Sequence, residues 1–209
     1  MMTKRLIWNF EIASTTADPA PNWLIGIPHP LQWEARYFWP EHEIITLYGL
    51  NDSYLELSRY TFKHREDTYF LLNTLPLNIK QRRGQLFYKP LLAKLDDPKL
   101  AEINGFGKKI NLHTHPADAL LPDQSTMNTA QLLALLRKAK TINITKEVAT
   151  YTFTSDPLVK LELSRLTIKT KTYFSLCLQG NSADLIQRLR THLLQNQVSC
   201  QYVNFLKQI

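Results

Sequence analysis

The segment LNIKQRRGQLFYK, residues 77–89, sets cations at alternate positions of a run rich in strand-forming side chains. Read as a strand, it points Leu77 and Ile79 one way and Asn78, Lys80 and Arg82 the other. Arg83-Gly84 supplies a turn, after which Leu86 and Tyr88 oppose Phe87 and Lys89. Three more segments repeat the pattern. In WEARYFW, Glu34 and Arg36 share a face opposite Trp33, Ala35 and Tyr37. Lys160, Glu162 and Ser164 alternate with Val159, Leu161 and Leu163, while Ser175, Cys177 and Gln179 oppose Phe174, Leu176 and Leu178. On a flat sheet such a face is solvated, and its cross-strand ion pairs contribute about a few tenths of a kcal/mol each. If the sheet closes, the same face lines a cationic channel that binds several phosphates at once. Carboxylates among the cations suit Mg²⁺ or Mn²⁺, which take oxygen ligands and bridge phosphate oxygens.

The elements that must position these residues are mostly strands. From Trp33 to Lys89 the chain is rich in Tyr, Phe, Ile and Thr, with turn signals at Pro40, Asn51-Asp52, Asn73 to Pro76 and Arg83-Gly84, which predicts antiparallel strands. Ser14 to Pro30, with Pro19, Pro21, Pro28 and Pro30, reads as an extended connection. Asp96 to Pro122 reads as irregular. Ser125 or Asp123 is the expected cap of a helix running to about Lys140, with Leu132, Leu133, Leu135 and Leu136 on its buried face. Two or three strands are expected between Ile144 and Leu178, then a helix opening at Asn181-Ser182 with Leu185, Leu189 and Leu193 spaced four apart. Strands, a helix, strands and a helix describe an α+β class built on an antiparallel sheet or barrel.

Composition bounds the function. The 209 residues are 44% hydrophobic and 21% charged, ordinary for a globular chain, and hold no apolar run of membrane-spanning length. A net charge of +7 favours anionic partners, and no run of five like charges makes a basic tail. Six glycines leave no Walker or dinucleotide loop. Cys177 and Cys200 are too few for a disulfide framework, and Glu11 interrupts the N-terminal apolar segment early, so no signal peptide and a cytoplasmic location are expected.

The run REDTYFLLNTLPLNIKQRRGQLFYK, Arg65 to Lys89, resembles the R-x-D-x-Y-L and K-x-R-x-G-x-L-x-x-K patterns of CYTH-domain proteins, the triphosphate tunnel superfamily. WEARYFW sits where such proteins carry their first acidic-basic strand. KLELSRL resembles the later strand that supplies a glutamate, and QYVNFLK is similar to the family's C-terminal tail. The resemblance covers roughly residues 33–89 and 144–209. It implies a single domain over 1–209, a closed antiparallel tunnel of about eight strands with flanking helices, and an insertion or lid-like segment at about 91–143. Arg36, Arg65, Lys80, Arg82, Lys89 and Lys146 would contact phosphate, Glu34 and Glu162 would hold Mg²⁺ or Mn²⁺, and Glu162 would be catalytic. The implied ligand is tripolyphosphate or a nucleoside or thiamine triphosphate, and the implied reaction, if any, is phosphoanhydride hydrolysis. The chain departs from the pattern in three places. The family's E-x-E-x-K becomes Glu34-Ala35-Arg36-Tyr37-Phe38, the arginine expected after Lys146 is Val148, and the last-strand carboxylate is Gln179. Binding of a phosphate-rich ligand is therefore better supported than its hydrolysis. The alternative is a non-catalytic module for phosphate ligands or an RNA 5′ end.

A second local pattern competes. His113-x-His115-Pro116 resembles the JAMM metalloprotease motif H-x-H-P-x(n)-S-x-x-D, whose two imidazoles share a Zn²⁺. Asp123 stands where that serine belongs, Thr126 where the ligand aspartate belongs, and no upstream glutamate base is evident. This implies at most a degenerate zinc hydrolase.

Overall fold

Alternating apolar and polar side chains are carried through by long antiparallel strands. The computed structural model describes residues 3–14, 24–97 and 101–209, so Pro19, Pro21 and Trp23 of the expected N-terminal connection lie outside the described residues. In chain order the elements are β1 (Thr3–Ile7), β2 (Phe10–Ala13), β3 (Gln32–Pro40), β4 (Ile45–Tyr48), β5 (Thr61–Leu71), β6 (Asn78–Arg82), β7 (Gln85–Lys89) and β8 (Leu91–Asp97). There follow β9 (Ala101–Phe106), β10 (Ile110–Asn111), β11 (Leu120–Leu121), β12 (Gln124–Asn128), α1 (Thr129–Leu136), β13 (Lys140–Thr152), β14 (Val159–Ile168), β15 (Lys171–Gly180), α2 (Ala183–Leu194) and α3 (Tyr202–Gln208). Among the described residues the main sheet has ten strands in the order β10-β7-β6-β5-β13-β14-β15-β3-β9-β8, all paired antiparallel. No helix among the described residues is long and apolar enough to cross a membrane.

The sheet is strongly curled. Strands β7 and β3 lie six places apart in it, roughly 29 Å if it were flat. Yet Lys89 Nζ on β7 donates to Glu34 Oε1 on β3 at 2.5 Å. The β6–β7 hairpin helps set one wall: Arg83 and Gly84 adopt φ of 50° and 74°, the left-handed pair of a two-residue turn that matches strand twist.

The expected closed tunnel of about eight strands is corrected in two respects. Among the described residues the sheet has ten strands, and its ladder does not close, since edge strands β10 and β8 do not pair with each other. The chain bridges the gap instead: β7 pairs with β6, β8 pairs with β9, and only Pro90 separates β7 from β8. Proline has no N–H to donate, so the ladder is interrupted there, although the Gly107 N–H still donates to the Pro90 carbonyl at 3.0 Å.

Three packed clusters fix the sheet. Behind β3, β13, β14 and β15, side chains including Trp33, Tyr37, Leu161, Leu176 and Leu178 pack with Leu185, Ile186, Leu189 and Leu193 of α2 and with the small β1-β2-β4 sheet. Ser182 caps α2 by accepting from the Leu185 N–H, as the sequence predicts. Behind β6 and β7, Ile79, Leu86 and Tyr88 pack on Leu132 and Leu136 of α1. On the concave side, α3 lays Tyr202, Val203, Phe205 and Leu206 against Tyr69, Leu71, Ile142, Ile144, Leu166 and Ile168.

The region read as irregular differs most. Residues 91–97 and 101–106, part of the segment expected as an insertion, are strands β8 and β9 of the main sheet. Asn104 and Gly105 disguise β9, but a Cβ at Gly105 would lie 2.9 Å from the Trp33 ring, so the position needs glycine for close approach rather than for a turn. The helix expected from Ser125 or Asp123 starts later. Residues 124–128 form β12, and Asn128 caps α1 in a reciprocal capping box with Gln131. Asp123 serves elsewhere, accepting from the Tyr88 hydroxyl and, at 3.1 Å, from the Leu91 N–H.

Candidate functional site

Because side chains alternate along a strand, the concave face receives Glu34 and Arg36 from β3, Arg65, Asp67 and Tyr69 from β5, and Asn78, Lys80 and Arg82 from β6. It also receives Lys89 from β7, Lys146 from β13, Glu162 from β14 and Gln179 from β15. One half of this face is covered by α3, and the other half lines a trough of about 530 Å³. All eight residues expected to do chemistry, Glu34, Arg36, Arg65, Lys80, Arg82, Lys89, Lys146 and Glu162, line that one cavity. Lys108 and Lys109, after β9, stand exposed at it too.

The cations are organised around three carboxylates. Asp67, whose side chain is 0% exposed, accepts from Arg82 Nε at 2.5 Å and Lys80 Nζ at 3.3 Å, and lies 3.3 Å from Lys146 Nζ. Burial pushes its carboxyl up, but the Arg82 hydrogen bond and the Lys146, Lys80 and Arg82 charges outweigh this and hold it well below the usual range. Glu162 is bracketed by two guanidiniums: Arg36 meets Oε1 at 3.4 Å and Arg65 meets Oε2 at 3.4 Å. Burial again opposes ionisation, and Arg36, Arg65, Lys146 and Lys80 overcome it. Glu34 pairs with Lys89, and its carboxyl is likewise held low against burial by Lys89 and Arg36.

Six cations thus share three carboxylates, and Lys108 and Lys109 add to the excess. The cost of crowding falls on the lysines. Burial is the largest influence on Lys80 and pulls its ammonium down to about 8 despite Asp67. On Lys146, burial and the Lys80 charge drive the pKa well below the ordinary lysine value. Aromatic faces take up part of the charge. Lys146 Nζ sits 4.0 Å from the Tyr202 ring centroid and donates to the Tyr69 hydroxyl at 3.1 Å, and Arg36 lies 5.2 Å over Tyr202.

Sequence reasoning found the cations but missed the roles of Asp67, Tyr69 and Tyr202. The signal was present, since Asp67 and Tyr69 continue the period-2 face begun at Arg65. Cys177 shares the concave face but is fully buried, and burial pushes its thiol far up, so it is no nucleophile. His115 Nδ1 sits 2.8 Å from the Thr129 hydroxyl and His113 is exposed. Among the described residues no group of three His, Cys, Asp or Glu could hold a metal ion, so the histidine pair has no third ligand.

The expected Mg²⁺ or Mn²⁺ fits this donor set poorly. Such an ion needs carboxylate oxygens free to coordinate. Glu34 and both oxygens of Glu162 face cations, and Asp67 is sealed by three of them.

No protein-family model matches the chain, and no curated protein matches it. Among solved structures it is similar to a candidate adenylate cyclase of Bacillus halodurans, 14% identical over 71% of this chain and 82% of that one, with a TM-score of 0.38. That likeness is too distant to transfer a residue or a role.

Proposed function

We propose that the trough binds a linear triphosphate or a longer phosphate chain. The observation that carries this reading is the charge imbalance of the concave face: among the described residues, inward cations outnumber the carboxylates that hold them two to one in a walled cavity. Such an array is costly to maintain without an anion, because each buried cation loses hydration that a carboxylate or phosphate must replace. Arg36, Arg65 and Arg82 offer planar forks suited to phosphate oxygens, while Lys80 and Lys89 act as point charges. The resemblance of the Arg65–Lys89 segment to CYTH-domain proteins points the same way.

Binding is better supported than turnover. Hydrolysis needs a group that takes a proton from water, and the expected one, Glu162, has both oxygens facing guanidiniums and a lowered pKa. Such a carboxylate is a weak base. The test is a thermal shift with tripolyphosphate. A ligand at a hundred times its Kd stabilises the wild type by about 2.7 kcal/mol. Lys80→Ala/Arg82→Ala should abolish the shift. An unchanged melting temperature of the wild type contradicts the reading.

A further inference from the structure

We infer that Glu34 and Glu162 are internal counter-ions of Lys89, Arg36 and Arg65 that compete with an anionic ligand for those cations, and that the trough takes the phosphate chain free of divalent metal. The inference rests on the phosphate-binding reading above and narrows it to one ionic form of the ligand. Each carboxylate already has cationic partners on a different strand: Glu34 on β3 with Lys89 on β7, and Glu162 on β14 with Arg36 on β3 and Arg65 on β5.

The distances set Glu162 apart from Asp67, and from Glu34, which Lys89 meets at 2.5 Å. Asp67 is gripped by Arg82 through two nitrogens, at 2.5 and 2.7 Å, and nothing of its side chain is exposed. The Glu162 contacts are long, 3.4 Å on each side, so either guanidinium can turn from the carboxylate to an incoming phosphate with little loss. A divalent cation placed at Glu162 would face Arg36 and Arg65 directly, with Lys80 and Lys146 close enough to depress its carboxyl pKa. Repulsion from these charges works against metal, whereas an uncomplexed polyphosphate meets only favourable charge apart from the two glutamates. Those glutamates therefore compete with the ligand for the cations that receive it.

This gives the opposite sign from a metal-ligand role. Calorimetric titration of tripolyphosphate into the wild type should show binding in EDTA, and weaker binding when excess Mg²⁺ is added, because Mg²⁺ complexes the polyphosphate and masks its charge. Removing one repulsive charge should tighten binding in EDTA, by roughly fivefold for Glu162→Gln and for Glu34→Gln. Binding seen only with Mg²⁺ or Mn²⁺, or a folded glutamine variant that binds more weakly, overturns this inference and leaves the phosphate-binding reading standing. Absence of binding with and without metal overturns both. Should Glu162→Gln not fold, Glu34→Gln and the wild-type comparison of EDTA with Mg²⁺ decide the matter without it.

Discussion

The concave face of the main sheet has two halves built by the same strands. On β3, β5, β13 and β14 the inward positions run from charged to apolar: Arg36 to Phe38, Asp67 to Leu71, Lys146 to Ile144, and Glu162 to Leu166. The apolar half is filled by α3, where Phe205 stacks on Phe38 at 3.9 Å and Tyr202 on Tyr69 at 4.8 Å. The charged half stays open. A helix laid over it would strip the remaining water from these cations without replacing it, at several kcal/mol per uncompensated charge. One sheet thus makes a core and a binding trough according to which side chains alternate inward. Tyr69 and Tyr202 mark the border, with apolar neighbours on one side and ammonium groups on the other.

Breaking the charged half at its anchor should have the largest effect. Asp67→Asn leaves Arg82, Lys80 and Lys146 without their shared counter-charge, and should cost about 3–5 kcal/mol in chemical denaturation. The pH sign follows from the lowered pKa. Asp67 stabilises the folded state at neutral pH, and that contribution fades as pH falls through its ordinary 3.8 and below. A wild type and an Asn variant that differ equally at pH 7 and at strongly acid pH would contradict the assignment.

Breaking the other half should separate stability from binding. Phe205→Ala removes a ring stacked in the α3 cluster and should cost roughly 3–4 kcal/mol. Tripolyphosphate affinity, measured where the variant is folded, should be unchanged, because Phe205 does not line the trough. A large loss of affinity would mean that the packing of Phe205 carries into the trough, through its α3 neighbour Tyr202.

The smallest effect sharpens the border. With its pKa near 8, Lys80 gains its charge as pH falls from 9 to 7, beside Asp67, Arg82 and Arg36 and facing Tyr69. Anion affinity should rise over that window in the wild type. Lys80→Arg, charged throughout, should show the flatter profile, so the difference between the two curves isolates this residue from the ligand's own protonation. Parallel curves would show that Lys80 does not titrate there. By the same linkage, the depressed pKa makes this group's contribution to stability rise between about pH 8 and its ordinary 10.5, where the unfolded chain binds the extra proton.

Much of the charged half was legible in the sequence, because period-2 alternation is a local property. The two faces of residues 77–89, their turn at Arg83-Gly84 and the opening of α2 at Ser182 all follow from neighbours within a few positions. What was not legible depends on distant partners. That Lys89 meets Glu34 depends on the curl of the whole sheet, which no single strand encodes. Strand β9 was hidden by Asn104 and Gly105, residues poor in strand propensity that its neighbours Trp33 and Gln201 make useful. Glu162 shows the limit most clearly. Its residue type suits metal, catalysis or charge pairing, and only the positions of Arg36 and Arg65 choose among them.

The most direct measurement is phosphorus NMR of tripolyphosphate titrated with the wild-type protein in EDTA and again with Lys80→Ala/Arg82→Ala. Terminal and central phosphorus signals should both shift or broaden with the wild type and stay in place with the variant. Signals that do not respond to the wild type, or respond equally to both proteins, would contradict an anion held among these cations.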